Sequence, residues 1–197
     1  MSQPNNGRRR ANSRHRERDI VLTAARIIHT DGFSRLNVDD LAKKVGISKS
    51  TLYQHFDHKS DIVLFALNTG AQAISGFLTK AEGMPLDRLE ALLRFLYRYQ
   101  EDDDSSLACV VFTEAIHQIN LHEDASECIQ KMQHLVNSII EDAKTEGQIR
   151  PSLSADVVSG SLFSTAILMS SHYLPPKLKT DAAYVDQVIS WWRSSLA

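Results

Sequence analysis

LNVDDLAKKVGISKSTLYQHF, residues 36–56, decides the fold. Asn37 is a helix N-cap candidate, because its side-chain oxygen can accept from the first free N–H groups of a following helix. Asp39 and Asp40 then fall in the first turn, where the positive end of the helix dipole favours carboxylates. Leu36 and Leu41 stand one residue before the cap and at the fourth helical position, the spacing of a hydrophobic staple. The helix runs through Ala42 to about Lys44. Gly46, Ile47 and Ser48 turn the chain, and Ser48 caps a second short helix with Ile47 and Leu52 as its staple. Two short stapled helices across a glycine turn read as a helix-turn-helix.

Working outward, residues 18–30 carry Ile20, Val21, Ala24, Ala25, Ile27 and Ile28 at helical spacing. Val38, Leu41, Val45, Leu52 and Phe56 close a core against that helix. Asp57 is the expected cap of a longer helix over 58–80. Further helices are expected at about 86–100, 107–119, 122–146, 154–172 and 181–195. Glu101–Asp104, Gly147–Pro151 and Pro175–Pro176 separate them. No alternating strand pattern and no internal repeat occurs. The expected fold is all-α, with about nine helices. A disordered basic arm at 1–16 precedes a helix-turn-helix domain at 17–63 and a C-terminal helical domain at 64–197.

The helix-turn-helix has a chemistry of its own. The N-terminal end of a recognition helix meets base edges in the major groove. Here that end offers Lys49, Ser50 and Thr51, followed by Tyr53, Gln54 and His55. Lys49 can donate to guanine O6/N7, Gln54 can pair with adenine, and the Thr51 methyl can touch thymine. Tyr53, His55 and Lys59 suit phosphates, and Asn37 joins them as a DNA-facing candidate. A merely solvated polar face explains Lys49–His55 equally well in isolation. The combination of the turn, the caps, the basic arm and the length argues against that. Residues 1–60 carry a net +6 and residues 61–197 a net −8, though the whole chain is only −2. The basic excess includes Arg8, Arg9, Arg10, Arg14 and Arg16. A basic first third implies a polyanion partner for that part alone.

Composition excludes other classes. Two cysteines, Cys109 and Cys128, make no disulfide scaffold. His117, His122 and His134 form no i,i+4 pair with each other, so no metal ion is expected. No Gly-rich phosphate loop, His-Glu-x-x-His or G-x-S-x-G elbow is present, so neither an enzyme nor a cofactor is expected. Met1–Arg10 lacks the apolar core of a secretory signal. No apolar run reaches the ~18–20 residues that span a bilayer. The expectation is a soluble cytoplasmic protein with no membrane partner.

Residues 18–64 resemble the N-terminal domain of TetR/AcrR-type regulators. The elements that carry the resemblance are Ile20, Ala24 and Ala25, Gly32 and Phe33, Val38, Leu41 and Ala42, Val45 to Ser48, Thr51 to Tyr53, His55 and Phe56, Lys59 and Ile62. Where the family often has glutamate after the lysine, this chain has Ser60, which removes a reciprocal cap expected opposite Asp57. The resemblance implies a bacterial, homodimeric regulator on double-stranded DNA, usually a repressor at a palindromic operator, released by a small-molecule effector. It places the effector pocket in the C-terminal domain and the dimer contact on the last two long helices.

Residues of those helices can be nominated. Val158, Leu162, Ala166, Val185, Val188, Ile189 and Trp192 are the expected dimer contacts. Phe95, Tyr99, Phe112, Ile116, His117, Phe163, Ile167 and His172 are the expected effector-pocket set, since one polar group on an apolar wall can orient a ligand. An alternative is a helical protein-binding adaptor with a vestigial DNA module, in which the acidic run Glu101–Asp104 would be a contact.

Overall fold

A computed structural model describes residues 5–98, 102–110, 123–170, 174–179 and 181–197. All regular structure among these residues is helical. The N-terminal unit holds α1 (Asn5–Asp31), α2 (Val38–Val45) and α3 (Lys49–Tyr53), with a short 3₁₀ turn at Phe33–Arg35. The long α4 (Lys59–Lys80) leads into α5 (Pro85–Tyr97), α6 (Asp103–Val110), α7 (Glu123–Thr145), α8 (Ala155–Ser170), α9 (Pro176–Lys179) and α10 (Ala182–Ser194).

The caps of the N-terminal unit form as their residues dictate. Asn37 Oδ1 accepts from Asp39 N–H at 2.8 Å, and Ser48 Oγ accepts from Thr51 N–H at 3.0 Å. Gly46 sits at φ +78°, ψ +30°, the left-handed geometry that lets α2 end and the chain turn at once. Leu41 and Leu52 are fully buried. They join Ile20, Ala24, Phe56, Ile62 and others in a first core. A second core is built by α5, α7, α8, α10 and the C-terminal half of α4, around Leu89, Leu92, Val136, Ile140, Leu162 and Trp192.

Four expectations are corrected. First, α1 begins at Asn5, inside the arm expected to lack structure. Extending an existing helix adds one bond per residue fixed, so the packed turn over 20–28 carries the helix backwards. Second, α6 starts at Asp103, four residues before the expected 107. Asp102 Oδ1 accepts from Ser105 N–H at 2.8 Å, so the acidic run is a helix start. Carboxylates there meet the positive end of the dipole. The remainder of the 107–119 helix lies outside the described residues.

Third, α4 is capped one residue later than expected. Asp61 Oδ2 accepts from His58 N–H at 2.7 Å, so His58 is the N-cap and Asp61 supplies the reciprocal carboxylate. The serine at position 60 therefore removes nothing. Fourth, α4 is long and apolar enough to cross a membrane by length and composition. In the fold Ile62, Val63, Ala66, Leu67, Ala71, Ile74 and Leu78 are spent on the two cores.

Candidate nucleic-acid interface

The short α3 presents a mostly polar exposed face beside α2. Lys49, Ser50, Tyr53 and Gln54 are exposed, and Thr51 is half-buried. Ser48 Oγ lies 2.8 Å from both Ser50 Oγ and Thr51 Oγ1, which ties the first turn into one hydroxyl cluster. Lys49 Nζ sits 2.8 Å from Asp39 Oδ1. That hydrogen bond raises the ammonium above its ordinary pKa and holds it on the flank of α2. A base contact through Lys49 requires this pair to open or be shared. Asn37 is exposed, but its side-chain oxygen is committed to the α2 cap.

Two residues expected to face phosphate are turned inward. Lys59 Nζ donates to the Phe33 carbonyl at 3.1 Å and lies 4.3 Å from the centre of the Phe33 ring. Burial lowers its pKa from the ordinary lysine value. The dipole at the start of α4 repels a cation, so the ammonium curls back to the 3₁₀ turn. His55 Nδ1 is 3.2 Å from Glu17 Oε1, and the imidazole is only 12% exposed. It joins the end of α3 to α1. Both partners are distant in sequence, so spacing could not reveal them. Tyr53 and Gln54 remain as the exposed pair at the end of α3.

The acidic run proves to be a contact within the chain. Asp104 Oδ1 takes the Arg18 guanidinium at 2.7 Å, and Asp103 Oδ1 takes Arg26 at 2.9 Å. Those arginines belong to α1, so the two units are joined at the N-terminus of α6. Leu107, one turn further, is fully buried in the first core. No periodicity argument links 18 and 26 to 103 and 104. The rule that acidic residues ahead of an apolar run start a helix would have placed the carboxylates at a helix end.

The residues expected to form the dimer contact serve the chain's own packing. Val158, Leu162, Ala166, Val185, Ile189 and Trp192 are all buried in the second core, and Val188 packs at its edge. Trp192 Nε1 donates to Ser161 Oγ at 3.0 Å, which locks α10 onto α8. Large apolar side chains stand exposed elsewhere on these helices: Val157 is 57% exposed, Leu168 55%, Ile167 44% and Trp191 68%. α8 is apolar around much of its circumference, so the sequence could not say which of its faces was inside. Of the expected pocket set, Phe95 is buried and stacks on Phe77, Phe163 is half-buried and Ile167 is exposed. Tyr99, Phe112, Ile116, His117 and His172 lie outside the described residues. Cys109 is buried with its thiol on the Leu96 carbonyl, while the Cys128 thiol is half-buried on the Asn68 carbonyl. They belong to different helices and form no metal pair.

With this geometry in hand, comparison with known proteins is direct. Residues 20–65 match the family model of bacterial regulatory proteins, tetR family. That stretch, about a quarter of the chain, carries the N-terminal domain of the family. EthR, an HTH-type transcriptional regulator of Mycolicibacterium smegmatis, is 40% identical over 80 residues, which cover 40% of this chain and 37% of that one. That match therefore spans little more than a third of the relative's length. An HTH-type transcriptional regulator of Mycobacterium tuberculosis is 24% identical over 182 residues, covering 88% of this chain and 86% of the other. Among solved structures, AibR in complex with isovaleryl coenzyme A and operator DNA superposes with a TM-score of 0.70 at 19% identity. That superposition covers 92% of this chain and 97% of AibR, and it extends the likeness of fold through the C-terminal unit. The N-terminal unit is thus a helix-turn-helix domain of the tetR type, the kind found in DNA-binding transcriptional regulators.

Proposed function

We propose that this regulator is a repressor that binds a palindromic operator as a homodimer and is released by a small-molecule effector held in the C-terminal unit. The observation that carries the proposal is the apolar outer face of α8 and α10, beside a polar α3 face on the same chain. Val157 and Leu168 on one side of α8, and Trp191 on α10, are large apolar side chains left exposed. A second copy related by a two-fold axis covers such a face with itself. The same axis sets two α3 helices on one side of a duplex, about one helical turn or ~34 Å apart.

Within each half-site, Gln54 and Lys49 read base edges and the Tyr53 hydroxyl holds phosphate. Ser50 and Thr51 line the same turn. Lys59 and His55 support that surface from behind. The effector function rests on the size of the second core and on the likeness to AibR, whose solved complex holds both an acyl coenzyme A and operator DNA.

Selection of bound sequences from a random duplex pool tests this reading, and an inverted repeat is the expected product. Light scattering should give a particle of about twice 22.1 kDa, and Trp191→Glu should halve it. Recovery of unrelated sequences without two-fold symmetry, or a native monomer, defeats the proposal.

A further inference from the structure

A cleft of about 360 Å³ opens where the C-terminal half of α4 meets the end of α5 and the first turn of α6. Its floor is aromatic. Phe77 and Phe95 stack with ring centres 4.5 Å apart and planes 14° from parallel. One wall is made of small residues, Ala73 and Gly76. A Cβ built on Gly76 meets nothing within 4 Å, so the space above that turn is empty. Two charged side chains also line the cleft, Lys80 and Asp104.

Those two charges are not equivalent. Asp104 is neutralised by Arg18 at 2.7 Å. Lys80 is exposed, and no carboxylate lies within ion-pair distance of it among the described residues. The cleft with its rim pairs therefore carries one uncompensated positive charge above an aromatic floor. An occupant that satisfies both features has a flat or branched apolar body and one anionic group. A cationic occupant meets Lys80 as a like charge and has to take Asp104 from Arg18, both of which cost free energy.

We infer that this cleft binds a small organic anion, its apolar body against Phe77 and Phe95 and its carboxylate or equivalent on Lys80. The inference rests on the effector reading above and gives it a location and a ligand chemistry. The occupant would lie against the first turn of α6, the turn that holds Arg18 and Arg26 of α1. Filling the cleft thus presses on an element that joins the two units.

The test uses two matched probes, 1-naphthoate and 1-naphthylmethylamine, titrated calorimetrically into the full-length protein without DNA. The naphthoate should bind at least tenfold more tightly than the amine. Gly76→Leu fills the empty space with a better helix former than glycine, so it should fold and lose at least tenfold in naphthoate affinity. Lys80→Glu should reverse the preference between the probes, and it guards against a packing artefact in the leucine variant. Equal binding of the two probes, no binding of either, or full affinity in Gly76→Leu overturns the inference. Binding as expected with no symmetric site recovered from the duplex pool would instead count against the operator reading and leave the cleft standing.

Discussion

Lys59→Met separates two roles that a lysine at the start of α4 can have. A phosphate contact adds about 0.9 to the slope of log affinity against log salt, so its loss flattens that slope by the same amount. The structure gives Lys59 a different task. Its ammonium lies 4.3 Å from the Phe33 ring centre and 3.1 Å from the Phe33 carbonyl. A cation over an aromatic face is worth ~0.5–2 kcal/mol, and a hydrogen bond to a charged donor ~1.5–3 kcal/mol. Burial opposes both, as its lowered pKa shows. Methionine keeps most of the apolar stem, so the net loss is expected to be about 1–2 kcal/mol, the part specific to the charge. For a chain of this size that corresponds to a melting point lower by ~2–8 °C. DNA affinity should fall at every salt concentration by a similar factor, giving a parallel line. The assay is fluorescence anisotropy on one selected duplex at four salt concentrations, beside a thermal melt of each protein. A slope reduced by about one with an unchanged melting point refutes the reasoning and returns Lys59 to the phosphates.

Two further outcomes follow from the packing. Burial pushes the Cys109 thiol up from 9.0 to about 12, so at neutral pH a thiol reagent should modify Cys128 and spare Cys109 until the protein unfolds; two equally fast reactions count against this. The sign for stability follows from the raised value: the contribution of the buried thiol is complete below pH 9 and is lost as pH climbs towards 12, so urea midpoints should be flat from pH 7 to 9 as far as this group is concerned. Gly46→Ala introduces a side chain at φ +78° with no atom within 4 Å of its Cβ, so any loss is backbone strain alone, ~1–2 kcal/mol by denaturant titration; an unchanged midpoint argues that the turn re-forms differently.

What was legible in the sequence was local. Asn37 and Ser48 cap N–H groups two and three residues on, and Leu36, Leu41, Ile47 and Leu52, each pair five residues apart, share one core. Partners far along the chain were not legible. Lys59 meets Phe33 across 26 residues, His55 meets Glu17 across 38, and Arg18 meets Asp104 across 86. Charge type said only that each of these groups needed a partner or water. The faces of α8 were not legible for another reason. An amphipathic helix names its inner face, whereas Val157, Val158, Leu162, Ile167 and Leu168 leave two apolar faces on one helix. The buried one was assigned to the dimer because nothing in the pattern ranked them.

α6 is the second tie between the two units, beside the continuous α4 that runs through both cores. Ser105 Oγ donates to the Phe95 and Leu96 carbonyls, and the Cys109 thiol donates to Leu96 as well. These bonds satisfy carbonyls at the free end of α5, so α6 rides with α5. On its other side α6 holds α1 through two ion pairs and through Leu107. The ion pairs are about half exposed and are worth ~0.2–1 kcal/mol each. Full burial of one leucine is worth ~1.5–3 kcal/mol, which is the scale of a typical allosteric coupling, ~1–3 kcal/mol. Packing therefore outweighs charge at this joint, and salt that screens the arginines should leave most of the coupling in place. A displacement of α6 has to drag α1 with it or strip Leu107 from the first core. Because α3 closes on α1 through that core and through His55 and Glu17, the course that drags α1 carries the recognition helix with it.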